Sequence, residues 1–381
     1  MAASESAFLE LAHPGVRGLA PYEPGKPIEE LRREYGVEEV IKLASNENPL
    51  GPSPRAAEAA TAAVQAGHRY PDGNGFDLRN AIAERHGIDP QRVTLGNGSN
   101  DVLALVAQTF LGPGRRAVFS AHAFAVYPIV TQAVGAEARV VPALSAEHPE
   151  QPRGHDLEAM AAATDESVQV VFVANPNNPT GTWLGADALR RFLDAVPERT
   201  LAVVDEAYFE YAVEEADYPD ASRWLDDYPN LIVTRSFSKV HGLGGVRAGY
   251  ALSHPAVAEL MNRVRQPFNC SAPAQAAALA SLGDAEHLQR SVALNTEQRA
   301  LLRRGLEELG FAPLPSAGNF LTFDAGARAG EINEGLLRSG VIVRPVDAYE
   351  LPGHLRVSVG TPAENRTFLA ALSRQRQGGL A

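Results

Sequence analysis

Apolar runs with almost no polar interruption constrain this chain more than any other feature. Leu201–Val204 and Leu231–Val233 are apolar throughout, and Val168–Val173 is broken only by Gln169. A strand with one wet face alternates; a near-continuous apolar run is a strand covered on both sides, as in a parallel sheet. Val93-Thr94-Leu95 and Ala117-Val118-Phe119 read as two further strands. Helices are expected over Ala56–Gln65, Phe76–His86, Asp101–Leu111, Val126–Val134 and Asp187–Leu193. This alternation predicts an α/β fold with a mostly parallel central sheet covered by helices. After Cys270 the texture changes. A long helical region, roughly Ala272 to Leu309, precedes Phe320–Phe323, Glu331–Ser339, Val341–Val343 and Leu355–Val359, which predict a smaller α+β domain. Pro14, Pro21, Pro24, Pro27, Pro49, Pro52 and Pro54 keep the first fifty residues rich in loops. The expected division is 1–48, 49–270 and 271–381.

Composition narrows the function. The 381 residues carry a formal net charge of −12, which argues against nucleic acid and leaves no basic membrane patch. One cysteine, Cys270, fits a reducing cytoplasm and no intrachain disulfide. No paired Cys/His spacing for a metal, no secretory pattern over Met1–Glu10 and no membrane-length apolar run is expected.

Of 34 basic side chains only Lys26, Lys42 and Lys239 are lysines. Lys239 sits in Ser236-Phe237-Ser238-Lys239, after the Leu231–Val233 run and before Gly242-Leu243-Gly244-Gly245 and Arg247. A lysine amine can be tuned into a nucleophile and base, which arginine cannot. An amine, two hydroxyls, a glycine loop and an arginine suit a phosphate-bearing aldehyde held as a Schiff base. Three more loops follow expected strands, where ligands of α/β sheets gather. Gly96-Asn97-Gly98-Ser99-Asn100-Asp101 suits an anion at a helix N-terminus, or a simple cap. It lacks the spacing of a dinucleotide site. Asn175-Pro176-Asn177-Asn178-Pro179-Thr180-Gly181 is a rigid turn that can aim an amide. Asp205-Glu206-Ala207-Tyr208 places an acid after a buried strand, where it needs a pyridinium or an arginine as partner. Strand alternation favours Asp205 over Glu206 as the acid that faces a ligand.

Together with Leu355-Arg356-Val357-Ser358-Val359-Gly360, these strings resemble the fold-type-I pyridoxal-phosphate aminotransferases over nearly the whole chain. Within that family, Val16-Arg17-Gly18-Leu19-Ala20-Pro21-Tyr22-Glu23-Pro24-Gly25-Lys26-Pro27, Leu43–Pro49, Arg69-Tyr70-Pro71-Asp72-Gly73 and Gly340–Arg344 are similar to the histidinol-phosphate aminotransferases. The resemblance implies an α/β fold-type-I transferase with pyridoxal 5'-phosphate carried on Lys239. It implies that Asp205 pairs with the pyridine nitrogen, and that Asn178 and Tyr208 contact the ring hydroxyl. Ser99, Asn100, Ser236, Ser238 and Arg247 would hold the phosphate, with Tyr70 reaching it from the neighbouring subunit of a homodimer. Arg356 would take the substrate's anionic group, with Tyr22, Asn178 and Arg344 nearby. Residues 1–48 would form an arm to the small domain and the dimer contact. Two departures stand out. Phe124, in His122-Ala123-Phe124, replaces the usual ring-stacking tyrosine, and His241 stands where many members carry phenylalanine; packing is its expected role.

The implied reaction is transamination between L-histidinol phosphate and 2-oxoglutarate, with imidazole acetol phosphate and glutamate as the other pair, in cytoplasmic histidine biosynthesis. An aromatic amino-acid aminotransferase is the alternative on the same framework. A decarboxylase of a phosphorylated amino acid would share Lys239 and Asp205. A non-enzymatic transcription regulator would need an added DNA-binding segment and a basic patch.

Overall fold

The computed structural model describes residues 5–22 and 24–377. Glu23 of the N-terminal motif, and the outer ends of the first and last segments at 1–4 and 378–381, lie outside the described residues. The central sheet has seven strands in the order 93–96, 249–252, 231–236, 201–205, 170–174, 116–120, 137–141. Strand 249–252 runs antiparallel to both neighbours and every other pair is parallel. The pleat sorts the apolar runs onto two cores. Val171, Val173, Val204 and Val233 meet one set of helices, whereas Val170, Phe172, Val203 and Ile232 meet the other. The first face is covered by Pro54–Gln65, Phe76–His86, Ala186–Ala195 and Ala272–Leu282. The second is covered by Ser99–Phe110, Val126–Ala133 and Pro255–Val264. Burial on both faces is why these strands read as apolar runs.

A second, antiparallel sheet of four strands follows the order 344–345, 354–358, 320–324, 312–313. Helices Ala285–Glu308, Ala329–Arg338 and Pro362–Gln377 pack on it through Leu302, Leu336 and Phe368. The arm joins this body: Ile41 and Lys42 pair in parallel with Val341 and Ile342, and Ser358 N donates to Leu43 O at 2.8 Å. Among the described residues no helix is long and apolar enough to cross a membrane.

The long helical region expected over roughly Ala272–Leu309 consists of two helices, Ala272–Leu282 and Ala285–Glu308. Gly283 ends the first, and the Asp284 carboxylate accepts from His287 N to start the second. The first piece packs with Ala56 and Leu78 against the large sheet through Ala274, Ala277 and Ala278, small side chains that let backbones approach. Strands Glu137–Val141 and Gly249–Leu252 and helices Leu157–Ala163, Pro255–Val264 and Pro362–Gln377 carry no expectation above. Strand 137–141 lies at the sheet edge with Glu137, Ala138 and Val140 exposed, so it lacks an apolar run.

Past strand 201–205 the pleat turns Asp205 and Glu206 to opposite sides. Glu206 is fully buried and meets Arg235, with Nη2 2.6 Å from Oε2; Arg235 also reaches Asp220 at 2.8 Å. The arginine partner weighed above for the strand-end acid thus belongs to Glu206. Removing one member of such a pair strands a buried charge. Arg235→Leu should therefore lose about 3–5 kcal/mol of stability in urea unfolding, and Arg235→Leu with Glu206→Leu should recover much of it. A loss below about 1 kcal/mol for the single variant would contradict the pairing's importance.

Candidate active site

The carboxyl ends of strands 170–174, 201–205 and 231–236 open on a cavity that Asp205 lines from below. Asp205 is 5% exposed. Tyr127 donates its hydroxyl to Oδ2 at 3.0 Å, and Thr234, its register partner on the next strand, donates to Oδ1 at 2.7 Å. Burial pushes this carboxyl's pKa up; the Thr234 and Tyr127 hydrogen bonds and the Lys239 charge pull against that rise.

The switch from parallel to antiparallel pairing builds the other wall. Strand 231–236 reverses into 249–252 with Ser236 opposite Gly249, so the intervening loop folds over the strand ends. That fold brings Ser236, Ser238, Lys239 and Arg247 to the same cavity. Lys239 Nζ lies 3.4 Å from Ser45 O and 5.3 Å from the Tyr208 ring centroid. Burial, aided by the Arg356 charge, lowers its pKa to about 8, so its amine opens on the cavity as a usable base near neutral pH. Tyr208 is buried beside it and accepts from Asn46 Nδ2 at 2.9 Å; burial keeps its phenol protonated by raising its pKa.

One end of the cavity is an anion cradle. Ser99 and Asn100 open helix Ser99–Phe110, whose first N–H groups and dipole favour negative charge. Arg247 donates to Ser238 Oγ at 3.1 Å and to Asn97 O at 3.2 Å, which draws the two loops together. Gly98 has φ +83°, and a Cβ there would stand 2.1 Å from Arg247 Nη2. A Cβ at Gly249 would stand 2.4 Å from Ser99 N. Both glycines are required for the helix start, the strand and the guanidinium to meet. Hydroxyls, helix N–H groups and an arginine so placed fit a phosphate, and Asp205 and Lys239 between them fit the ring and aldehyde of the expected cofactor.

At the other end stands Arg356, in strand 354–358 and opposite Arg344 in register. It is buried, donates to Asn178 Oδ1 at 2.5 Å and Ala44 O at 2.7 Å, and its Nε has no hydrogen-bond partner among the described residues. Tyr22 and Arg344 line the same end, and Phe124 forms a side wall. Every expected site residue lines this cavity except Tyr70. Tyr70 is 82% exposed, stacked on Phe268 at 4.7 Å between ring centroids and outside the cavity lining. His241 also lies outside the lining. It packs against Phe237 at 5.0 Å, and burial, with the Arg85 charge, lowers its pKa to about 3.

Sequence reasoning gave no role to Tyr127, Thr234, Ser45 or Asn46. Asn46 holds φ +54° while 1% exposed, and its side chain ties Tyr208 to Ser358. The available signal for Tyr127 was a polar-tipped aromatic within an apolar helix, since a buried tyrosine hydroxyl seeks a partner.

The three lysines offer a direct check. Lys26 is held by Glu30 and Glu34, and Lys42 by Glu47. In ligand-free protein, competitive acetylation read by peptide mass spectrometry should label Lys239 with a midpoint near pH 8, the neutral amine being present above that pH. A midpoint near the ordinary lysine value of about 10.4 would contradict the burial account.

Comparison with known proteins agrees with this geometry. The family model for aminotransferase class I and II matches residues 38–372. Histidinol-phosphate aminotransferase 2 of Pseudomonas aeruginosa is 56% identical over 371 residues, covering 97% of this chain and 98% of that one. Its counterpart in Methylococcus capsulatus is 54% identical, covering 96% and 98%. The crystal structure of histidinol-phosphate aminotransferase from Sinorhizobium meliloti, in complex with pyridoxal-5'-phosphate, superposes with a TM-score of 0.85 at 32% identity, over 97% of this chain and 98% of that chain. The protein whose cavity joins a buried acid, a tuned lysine and an anion cradle belongs to the class I and II aminotransferases, alongside the histidinol-phosphate aminotransferases.

Proposed function

We propose that this aminotransferase carries pyridoxal 5'-phosphate on Lys239 and moves the amino group between L-histidinol phosphate and 2-oxoglutarate, serving histidine biosynthesis. The observation that carries the reading is the convergence, in one cavity, of Lys239, Asp205 and the Ser99/Asn100/Ser236/Ser238/Arg247 cradle. When bound, the cofactor supplies an electron sink for the pair left when the donor's α C–H bond breaks. Lys239, whose amine burial makes easier to deprotonate in the ligand-free site, would be the base that takes this α-proton and later gives it back. Asp205 would hold a proton on the ring nitrogen. Asn178 and Tyr208 would meet the ring hydroxyl and Phe124 the ring face. The cradle anchors the phosphate, and Arg356, with Arg344 and Tyr22, receives the substrate's anion. A planar guanidinium suits both a phosphate and a carboxylate, which one site serving both substrates requires.

A homodimer with shared sites belongs to this proposal. Tyr70, exposed and stacked on the exposed Phe268, would in this reading serve a partner's cavity. So does work in the cytoplasm: Cys270 is a buried free thiol whose pKa burial raises to about 11, a poor candidate for disulfide chemistry.

The substrate assignment is tested by kcat/KM, which measures differential transition-state binding. Histidinol phosphate should exceed phenylalanine and tyrosine by at least about tenfold, the scale of one lost charged contact; a higher value for an aromatic amino acid would overturn it. Carbon dioxide release from a phosphorylated amino acid would point to a decarboxylase. Mixed dimers test the shared site. Lys239→Ala chains combined with Tyr70→Ala chains should recover activity toward half of wild type per heterodimer, because one site then carries neither lesion. No recovery would mean that Tyr70 serves its own subunit.

A further inference from the structure

Behind the cavity, one side chain touches both the acid and the ring wall. Tyr127 is fully buried on helix Val126–Ala133, stacked on Phe172 at 4.8 Å with planes 9° apart. It stands nearly perpendicular to the Phe124 ring, 5.9 Å away at 88°. Packing accounts for the ring, and a phenylalanine would serve it equally. The hydroxyl is a separate matter: it is buried from solvent and donates to Asp205 Oδ2 at 3.0 Å. Burial raises the phenol's own pKa well above the ordinary value, so Tyr127 stays a donor. Thr234 occupies Oδ1 from the neighbouring strand at 2.7 Å. Among the described residues, the other titratable groups acting on this carboxylate are Lys239 and Tyr208.

We infer that Tyr127 and Thr234 are positioning residues that keep Asp205 ionised and aimed into the cavity, and that Tyr127 also fixes Phe124 against the same site. The inference rests on the proposed role of Asp205 as partner of the cofactor's ring nitrogen. An acid in so dry a place favours its neutral form, and a neutral acid leaves the ring nitrogen without its proton. These two hydroxyl donors, one on each oxygen, act with the Ala207 N–H to stabilise the carboxylate and shift the shared proton to the ring. Neither residue reaches the cavity lining, so neither touches substrate or cofactor.

The test uses full-length protein loaded with cofactor ¹⁵N-labelled at the pyridine nitrogen, with nitrogen NMR and steady-state kinetics as readouts. In wild type the nitrogen resonance should lie in the protonated range. In Tyr127→Phe and in Thr234→Val it should move toward the unprotonated range, and kcat should fall at least tenfold with KM changed less than threefold. Thr234→Ser, which keeps the hydroxyl, should restore both. A wild-type resonance in place, with Tyr127→Phe and Thr234→Val leaving both the shift and kcat unchanged, overturns this inference alone. An unprotonated nitrogen in wild type overturns the role of Asp205 and this inference with it. Thr234→Ser behaving like Thr234→Val would assign the effect to packing and overturn the inference equally.

Discussion

A carboxylate buried at the end of a strand is the constraint on which the rest of the site depends. Asp205 leaves water when strand 201–205 takes its place in the sheet, and an unpaired buried charge costs several kcal/mol or is neutralised. Each neighbour answers that problem. Thr234 and Tyr127 donate to it, and the positive charge of Lys239 stands across the cavity. The same burial lowers the pKa of Lys239, so one dry environment makes an acid that needs donors and an amine that can act as a base.

The sheet topology delivers these groups together. Parallel strands place Asp205 and Thr234 side by side, and the antiparallel return through strand 249–252 folds Lys239 and Arg247 back over the same ends. The arm closes the arrangement from the small sheet. Asn46 donates to Tyr208 while its backbone N–H meets Ser358, so the two bodies share one hydrogen-bonded seam at the cavity. Arg356 enters from the small sheet along that seam, held by Ala44 O and Asn178.

Much of this was legible because it depends on local pattern. The apolar runs foretold the buried parallel strands, and period two separated Asp205 from Glu206. What escaped depends on tertiary pairing. Strand 249–252 is short and begins at Gly249, a residue chosen for its close approach to Ser99 rather than for strand propensity. Tyr127 shows in sequence only that a hydroxyl sits in an apolar helix; the packing reveals that its partner is Asp205. Asn46 needs a left-handed backbone and a partner more than 150 residues away, neither of which a sequence window displays. Tyr70 is the opposite case: the motif marked it, and it stands exposed and outside the cavity lining.

Lys239, alone among the three lysines, is the proposed carrier of the cofactor. Borohydride reduction of protein loaded with pyridoxal 5'-phosphate fixes the cofactor to the amine that bears it, and peptide mapping then locates the adduct. The account predicts the adduct on the peptide containing Ser238-Lys239-Val240, and none from Lys239→Arg protein. An adduct on Lys26 or Lys42, or one that survives in Lys239→Arg, would contradict it.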